Sequence, residues 1–312
     1  MPFDFSTISA PFRMQPGLRR IASDVEQLTP NLPGDRALQE KLAVLRDHAE
    51  RALLVDTGFD ATPALRALSV HAGTEHPQAW SGDALTTAHA KHLGWRLHDG
   101  EPAGNGPQEI GACLRALPPR WRPTALLALA FAEDFAVIDG ASACIPWLAV
   151  CLPSRWAPED KIGRHFAQVH APVADNQMLI AAADHLARLV TATDRWERFV
   201  WTFTPQPDLN QHPKHGGNPR WPALATADEL AEQAFFRTER QSFIPVPEVG
   251  QAIFTIHVES RPLIHAIDSS DAARRLRDAL ASMSPQVLAY RGLTDARERL
   301  LNWLGEAAAA PR

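Results

Sequence analysis

The 312-residue chain is poor in cysteine, in tyrosine and in long hydrophobic runs, and these shortages restrict what it can be. Its three cysteines, Cys113, Cys144 and Cys151, are an odd number without metal-ligand spacing, which argues against a disulfide scaffold and favours a reducing compartment. No stretch approaches 18 uninterrupted apolar residues, and the run ALLALAFA is far too short to span a bilayer. The first 20 residues lack the basic-then-apolar layout of a secretory signal. We therefore expect a cytoplasmic protein that does not cross a membrane.

The chain also lacks an excess of positive charge and the common nucleotide and protease motifs. Its 31 Lys and Arg are outnumbered by 36 Asp and Glu, which gives a formal net charge of −5. This balance argues against a nucleic-acid-binding module, which normally has a basic face. There is no Gly-rich phosphate loop, no Ser-His-Asp signature and no zinc-protease motif. Hydrophobic residues make up 45% of the chain, enough for a sizeable core, and the 13 histidines raise the hypothesis of a metal or heme site.

Helix-like patterns lie towards both ends of the chain, and strand-like patterns cluster in its middle. The predicted helices span residues 35–54, 62–70, 175–193, 226–234, 269–282 and 293–307, with one more possible helix at 83–93 in a turn-rich region. The predicted strands span residues 145–153, 198–204, 235–246 and 251–260. The last two strands are separated by the loop PVPEVG and form a plausible hairpin. This arrangement predicts an α+β fold.

The segment KIGRHFAQVHAPV has the most unusual pattern in the chain. It predicts a short helix that ends near His170, because Pro172 disfavours helical geometry at Ala171. A neutral imidazole at such a helix end can ligate iron or another metal. The alternative is a partly buried histidine that hydrogen-bonds a carbonyl group, and the segment alone leaves both interpretations open.

Polar residues occur on both faces of the strand FFRTERQSF. Alternation places Arg237, Glu239 and Gln241 on one face and Arg240 on the other. These side chains form either a polar pocket, in which guanidinium groups bind carboxylates, or a solvent-facing series of Arg–Glu pairs. On the neighbouring strand, His257 either joins such a pocket or lies at the surface.

Two further clusters also allow alternative interpretations. The loop HPKHGGNPRWP contains His212 and His215, which could bind a metal, but the loop has no carboxylate or cysteine to complete a site. A surface loop or a flap that covers a cofactor is the other interpretation. Glu133 and Asp134 are adjacent and could form a catalytic dyad. Because neighbouring strand residues point in opposite directions, we expect one of the two to face the core and to be paired.

Taken together, several segments resemble the heme-dependent oxidative N-demethylase family. They are CLPSRWAPEDKIGRHFAQVHAPV, AEDF, RFVW, the HPK of QHPKHG, FRTERQSF and IFTIHVE, with PFRMQPGL and AYRGL near the two ends. The segments occur in the family's order over nearly the whole chain. The resemblance implies a single domain, with a PAS-like antiparallel core in residues 121–262, a mostly helical part at 1–120 and C-terminal helices at 263–312.

The resemblance also implies a cofactor, an activity and partners. The heme subunit of the family binds heme b through a histidine and uses dioxygen to oxidise secondary amines, such as dimethylamine, to a primary amine and formaldehyde. Electrons come from NAD(P)H through reductase subunits that carry FMN and a 2Fe-2S cluster, and this chain has no flavin or ferredoxin signature of its own. The alternatives are a non-catalytic heme sensor of the PAS type and a subunit that has lost heme.

Four positions of this sequence match family segments implied to contact the cofactor. His170 matches the histidine of an IHxPVP-like segment, which implies that it is the axial iron ligand. Lys161 matches a KxG turn, and Arg198 and Trp201 match an RxNW segment. The chain departs from the family in HAPVADN, which lacks the usual second Pro and Gly, and at Val200, where Asn is usual.

The family's RxERQ strand implies further site residues. Glu239 is the implied group for proton delivery or for pairing with a cationic amine. Arg237 and Arg240 are implied to contact anionic groups such as the heme propionates. His257 stands where an Arg is usual in the family, and we expect it to contact the cofactor as well.

Overall fold

The computed structural model describes residues 3–215, 220–223 and 225–309. The strands are β1 (Arg19–Arg20), β2 (Leu53–Val55), β3 (Trp80–Gly82), β4 (Thr87–Ala90), β5 (Trp95–His98), β6 (Glu101–Gly104), β7 (Asp134–Asp139), β8 (Cys144–Ala149), β9 (Trp196–Thr204), β10 (Phe235–Val246) and β11 (Gln251–Pro262). The helices are α1 (Arg36–Asp47), α2 (Ala49–Ala52), α3 (Thr62–Glu75), α4 (Gln108–Ala116), α5 (Arg122–Ala130), α6 (Phe166–His170), α7 (Gln177–Ala181), α8 (Ala183–Val190), α9 (Ala227–Gln233), α10 (Leu263–Ala266), α11 (Ser270–Ala281), α12 (Pro285–Tyr290) and α13 (Arg297–Ala309). The paired glycines of the expected flap and the end of the C-terminal AAAAPR lie outside the described ranges.

A seven-stranded antiparallel sheet, in the order β1-β9-β10-β11-β7-β8-β2, positions most of the polar residues discussed above. At its centre β10 and β11 pair along their whole length, from Phe235 opposite Pro262 to Val246 opposite Gln251. The hairpin turn ends at Gly250, whose φ of +64° lies in the left-handed region that glycine adopts at little cost. The predicted hairpin and the predicted mixture of helices with an antiparallel sheet are thus confirmed.

A second antiparallel sheet, in the order β3-β4-β5-β6, occupies the turn-rich region. The prediction of a helix at residues 83–93 is wrong, because a turn and then β4 lie there. The carboxylate of Asp83 accepts hydrogen bonds from the amides of Leu85, Thr86 and Thr87 at 2.8–2.9 Å. Such bonds from a side chain to nearby backbone compete with helix formation and fix a turn instead.

The large sheet is not confined to residues 121–262. The predicted helix at 35–54 breaks at His48 into α1 and α2, and the chain then enters β2, which pairs with β8. At the other edge of the sheet, β1 pairs with β9. Besides the helices α1 to α4, residues 1–120 thus supply two strands of the large sheet and all of the small one, and the division of the chain at residue 120 stays a prediction. The single domain and the PAS-like character of the core remain predictions.

The predicted helix at 175–193 also divides, at Ala182, into α7 and α8. Leu179, Leu186 and Val190 are buried as the apolar stripe predicts, but Met178 is 52% exposed. The break alters the direction of the first turn, so that α7 buries Leu179 and presents its neighbours to solvent.

Two large apolar clusters stabilise the fold. One packs the first helices against the large sheet, with Leu45, Leu68, Leu114, Leu127, Phe131 and Phe135 among its buried members. The other packs the C-terminal helices against β9 and β10, with Phe203, Phe236, Leu276, Leu280, Leu300 and Leu304 among its buried members. None of the helices among the described residues is long and apolar enough to cross a membrane.

Candidate functional site

A cavity of about 320 Å³ lies against the face of the large sheet that carries Arg237, Glu239 and Gln241. Strands β7 to β11 form its floor, and α6, α7 and α8 close one side. Its walls are mostly apolar, with Ile138, Leu148, Val190, Phe243, Phe254 and Ile256 among the lining side chains. Six of the eight residues singled out from the sequence also line it: Lys161, His170, Arg198, Trp201, Arg237 and Glu239.

His170 is the last residue of α6 and projects a neutral imidazole into this cavity. Its Nδ1–H donates to the carbonyl oxygen of Phe166 at 2.9 Å, and the two rings stack with centroids 4.0 Å apart. Burial, together with the positive charges of Arg198 and Lys161, lowers the pKa of His170 from 6.5 to about 4. Because Nδ1 carries the proton, the Nε2 lone pair is free to bind a metal ion.

The helix that carries His170 ends as the sequence predicts. Residue Ala171 closes α6, and Pro172 follows it. The ammonium of Lys161 donates to the carbonyl oxygen of Val169 at 2.9 Å, at the end of the helix where carbonyl groups lack helical partners. Burial lowers the pKa of Lys161. Lys161 therefore lies in the cavity wall, and part of its hydrogen-bonding capacity stabilises the His170 helix.

Among the described residues, Arg198 is a cation that lines the cavity without a hydrogen-bond partner. Within the described ranges, no group accepts a hydrogen bond from its guanidinium, and its Nε is inaccessible to solvent. Burial lowers the pKa of Arg198, while the nearby charge of Glu239 raises it. A guanidinium held in this way, with its donors unused, is suited to bind a carboxylate that enters the cavity.

Glu239 is a buried carboxylate on the floor of the cavity. One of its oxygens accepts a hydrogen bond from the side-chain amide of Gln241 at 2.6 Å. Val200, at the position where the sequence departs from the family, lies directly opposite Glu239 on β9. The neighbour on the other side, on β11, is Val258. Apolar side chains thus flank Glu239 on both neighbouring strands, so its second oxygen has few protein donors close to it.

Arg237 also faces the cavity, but protein atoms engage its guanidinium. Its Nε donates to the hydroxyl of Ser154 at 2.9 Å, and its two terminal nitrogens donate to the carbonyl oxygens of Asp208 and Leu209 at 3.0 and 2.8 Å. Burial lowers its pKa to about 10. Arg237 therefore ties β10 to two loops, an arrangement that favours a structural contribution over direct contact with a ligand.

Trp201 is buried, and another cation covers part of its ring. The guanidinium carbon of Arg291 lies 5.6 Å from the Trp201 ring centre and 4.6 Å from that of Phe12. Arg291 also donates to the carbonyl oxygen of Trp201, and burial lowers its pKa to about 10. Arg291 and Tyr290 also line the cavity, although neither was among the site residues expected from the sequence. The family-like segments PFRMQPGL and AYRGL were the signal that could have identified them.

Arg240 and His257 lie on the opposite face of the sheet and do not reach this cavity. They line a separate cavity of about 200 Å³. Arg240 donates to Glu197 through Nε at 2.8 Å, and His257 bonds through Nδ1 to Glu133 at 2.8 Å. Strand alternation explains the separation, because Arg240 is offset by one residue from Glu239 and is paired across the hairpin with His257. The expected contact of these two residues with the cofactor stays a prediction, and the large cavity does not support it.

The two other clusters singled out from the sequence, His212 with His215 and Glu133 with Asp134, also have hydrogen-bond partners within the protein. His212 Nε2 lies 3.0 Å from the carboxylate of Glu159, whose pKa is lowered to about 2 because hydrogen bonds from His212, the backbone and Lys214 outweigh the effect of burial. No group of three or more His, Cys, Asp or Glu suited to hold a metal occurs in the part of the chain that the structure describes. Among the described residues, His212 and His215 therefore lack the further ligands of a metal site.

Glu133 and Asp134 do not act as a pair. Asp134 faces the core, where it forms an ion pair of 3.2 Å with the buried ammonium of Lys41. Glu133 binds His257 and accepts a hydrogen bond from the amide of Thr29 at 2.9 Å. Both carboxylates are buried, and each has its own partners, so the expectation of a paired, core-facing residue is confirmed.

The large cavity combines a neutral imidazole, wide apolar walls and an unengaged guanidinium. These are the features required by a flat, largely apolar iron macrocycle with carboxylate substituents. The imidazole of His170 would bind the metal, the apolar walls would cover the ring, and Arg198 would bind a carboxylate. The residues present therefore fit a heme group.

A comparison with protein-family models gives an independent result. The model described as "Haem-dependent oxidative N-demethylase, alpha subunit-like" matches residues 65–301, more than half of the chain. The matched segment contains every site residue from Lys161 to Arg291 that lines the large cavity. The N-terminal residues that also line it, such as Met14, precede the match.

Proposed function

Because the chain belongs to the family of heme-dependent oxidative N-demethylases, alpha-subunit-like, we propose that its large cavity binds heme b through His170 and demethylates a secondary amine of the dimethylamine type. The products are a primary amine and formaldehyde, and the reaction consumes dioxygen and two electrons. We also propose that the core around the cavity is PAS-like. The observation that carries the proposal is the neutral His170 imidazole, whose Nδ1 is engaged and whose Nε2 is free.

Heme, when bound, would supply the activation of dioxygen and the oxidation of the N-methyl group. The protein holds the cofactor and controls charge around it. His170 is the proposed iron ligand, and Arg198 and Lys161 are the proposed partners of the propionates. The apolar walls exclude water from the reacting groups, which strengthens each of these electrostatic contacts.

Glu239 is the proposed contact of the amine. It is the carboxylate among the residues that line the large cavity, and only one of its oxygens has a hydrogen-bond donor among the described residues. A secondary amine is protonated at neutral pH, so a buried carboxylate can bind its N–H groups. Glu239 can also accept the proton that must leave the nitrogen before oxidation. Gln241 keeps the carboxylate in place through the 2.6 Å hydrogen bond.

The electrons must come from outside this chain. The family description names an alpha subunit, which indicates an assembly of several subunits. We propose that partner subunits with FMN and a 2Fe-2S cluster deliver electrons from NAD(P)H. A heme sensor of the PAS type is the rival function, and it would bind heme in the same way without releasing formaldehyde.

Titration of the purified protein with hemin tests heme binding and its ligand. We expect one equivalent to saturate a sharp Soret band, and we expect the variant His170→Ala to lose that band or to recover it only with added imidazole. The matched control is His185→Ala, because His185 is exposed on the outer face of the neighbouring helix α8. An unchanged Soret spectrum in His170→Ala would rule out the proposed ligand.

A further inference from the structure

We propose that His165, held in place by Asp184, is a positioning residue that sets where the imidazole of His170 lies in the cavity. The inference rests on the proposed function, in which His170 binds the heme iron. It assigns a role to two side chains that do not touch the cavity themselves.

The helix that presents His170 cannot hold its own shape. Helix α6 has five residues, little more than one turn, and isolated helices of that length do not form in water. Side chains from outside the helix fix its C-terminal end. Lys161 donates to the carbonyl oxygen of Val169 at 2.9 Å, and the side-chain amide of Asn176 donates to those of His170 and Ala171 at 3.1 and 2.8 Å.

His165 fixes the other end of the helix through a capping box. Its Nδ1 accepts the amide N–H of Ala167 at 3.1 Å, and its own amide N–H donates to the side-chain oxygen of Gln168 at 3.3 Å. Each contact satisfies an amide that would otherwise lack a partner at a helix start. Only four residues separate His165 from His170, whose Nδ1 donates to the carbonyl oxygen of Phe166 at the start of the helix. Movement of the cap is therefore transmitted to His170 within a single turn.

Asp184 selects the tautomer of His165 that can act as a cap. Since Nδ1 accepts a hydrogen bond, the proton of the neutral ring lies on Nε2, and this N–H donates to the carboxylate of Asp184 at 2.9 Å. Asp184 belongs to α8, whose Leu186 and Val190 line the cavity. The contact therefore fixes the His170 helix relative to a wall of the same cavity.

The contact between His165 and Asp184 is exposed to solvent, so its effect on the position of His170 can be distinguished from an effect on the stability of the fold. The side chains of His165 and Asp184 are 33% and 66% exposed, and a polar side-chain contact this exposed contributes little to the free energy of unfolding. Replacing either residue should therefore leave the fold intact and change mainly the placement of His170.

A double-mutant cycle on heme affinity tests the proposal. His165→Ala and Asp184→Ala are each made in the native background and in His170→Gly, where free imidazole replaces the ligand. With His170 present, His165→Ala should raise the Kd for hemin about fivefold, the effect of losing one helix cap, and should broaden the Soret band. Asp184→Ala should raise the Kd by a smaller factor. With His170→Gly and imidazole, both effects should disappear, because the ligand no longer belongs to the helix.

Equal factors in the two backgrounds would overturn the positioning role and leave the proposed function standing. Full hemin affinity of His170→Gly without imidazole would instead refute the ligand assignment on which both rest. The matched control is Thr226→Ala, which removes the capping box of α9. It should leave the Kd unchanged, and a loss equal to that of His165→Ala would show a general effect of helix capping rather than positioning.

Discussion

The heme-free protein should lose stability at acidic pH because it buries His170 in the neutral form. Burial lowers the pKa of His170 from 6.5 to about 4, so between these values the unfolded chain binds a proton that the folded chain does not. The free energy of unfolding therefore falls as the pH decreases from 6.5 towards 4. At about 1.36 kcal/mol for each pKa unit the full effect is about 3.4 kcal/mol, and partial exposure of the ring to the cavity reduces our expectation to about 1.5 kcal/mol.

Urea unfolding of the native protein and of His170→Leu, each at pH 7 and pH 4.5, measures this effect. Other groups titrate equally in both proteins, so the difference between their pH responses isolates His170. The native protein should lose about 1.5 kcal/mol more than the variant, a shift in midpoint of about 0.5 M urea. The exposed residue His185 provides the control His185→Leu, which should respond to pH as the native protein does. Identical pH responses of native protein and His170→Leu would refute the conclusion that folding desolvates this imidazole.

Three further predictions, one of them with a control substitution, test other parts of the structure. Arg198→Leu should weaken hemin binding about tenfold, because a charge-assisted contact is lost, whereas Arg240→Leu on the opposite face should not change it; equal losses would contradict the assignment to two faces. Arg237→Met should lower the free energy of unfolding by about 3 kcal/mol, since three buried acceptors lose their donor, and urea unfolding would show it. Asp134→Asn should lower it by about 3–5 kcal/mol, because the Lys41 ammonium stays buried without a counter-charge; a loss below about 1 kcal/mol would show that carbonyl groups alone satisfy Lys41.

Local rules predicted the parts of the site that depend on one segment. Alternation along β10 separated Glu239 from Arg240 correctly, and Pro172 predicted that helix α6 ends at His170. The capping box of Thr226 and Glu229 likewise identified the start of α9. In each case the interaction that determines the structure joins residues close in sequence, so the local sequence pattern is enough to predict it.

Contacts between distant segments could not be predicted in this way. The pairing of His257 with the buried carboxylate of Glu133 depends on which strands become neighbours in the sheet. The placement of Arg291 between Phe12 and Trp201 joins both ends of the chain to β9. The helix wrongly expected at 83–93 shows a related limit, because three backbone bonds to one aspartate outweighed helical periodicity.

Release of formaldehyde by the heme-loaded protein is the most direct test of the proposed function. The protein is supplied with dimethylamine, dioxygen and a flavin and iron–sulfur reductase with NADPH, and formaldehyde and methylamine are quantified together. We predict that the two products form in equal amounts and that His170→Ala forms neither. A protein that binds one equivalent of heme with a normal Soret band, is reduced by the reductase and still releases no formaldehyde from any secondary amine tested would contradict the demethylase function and favour a heme sensor.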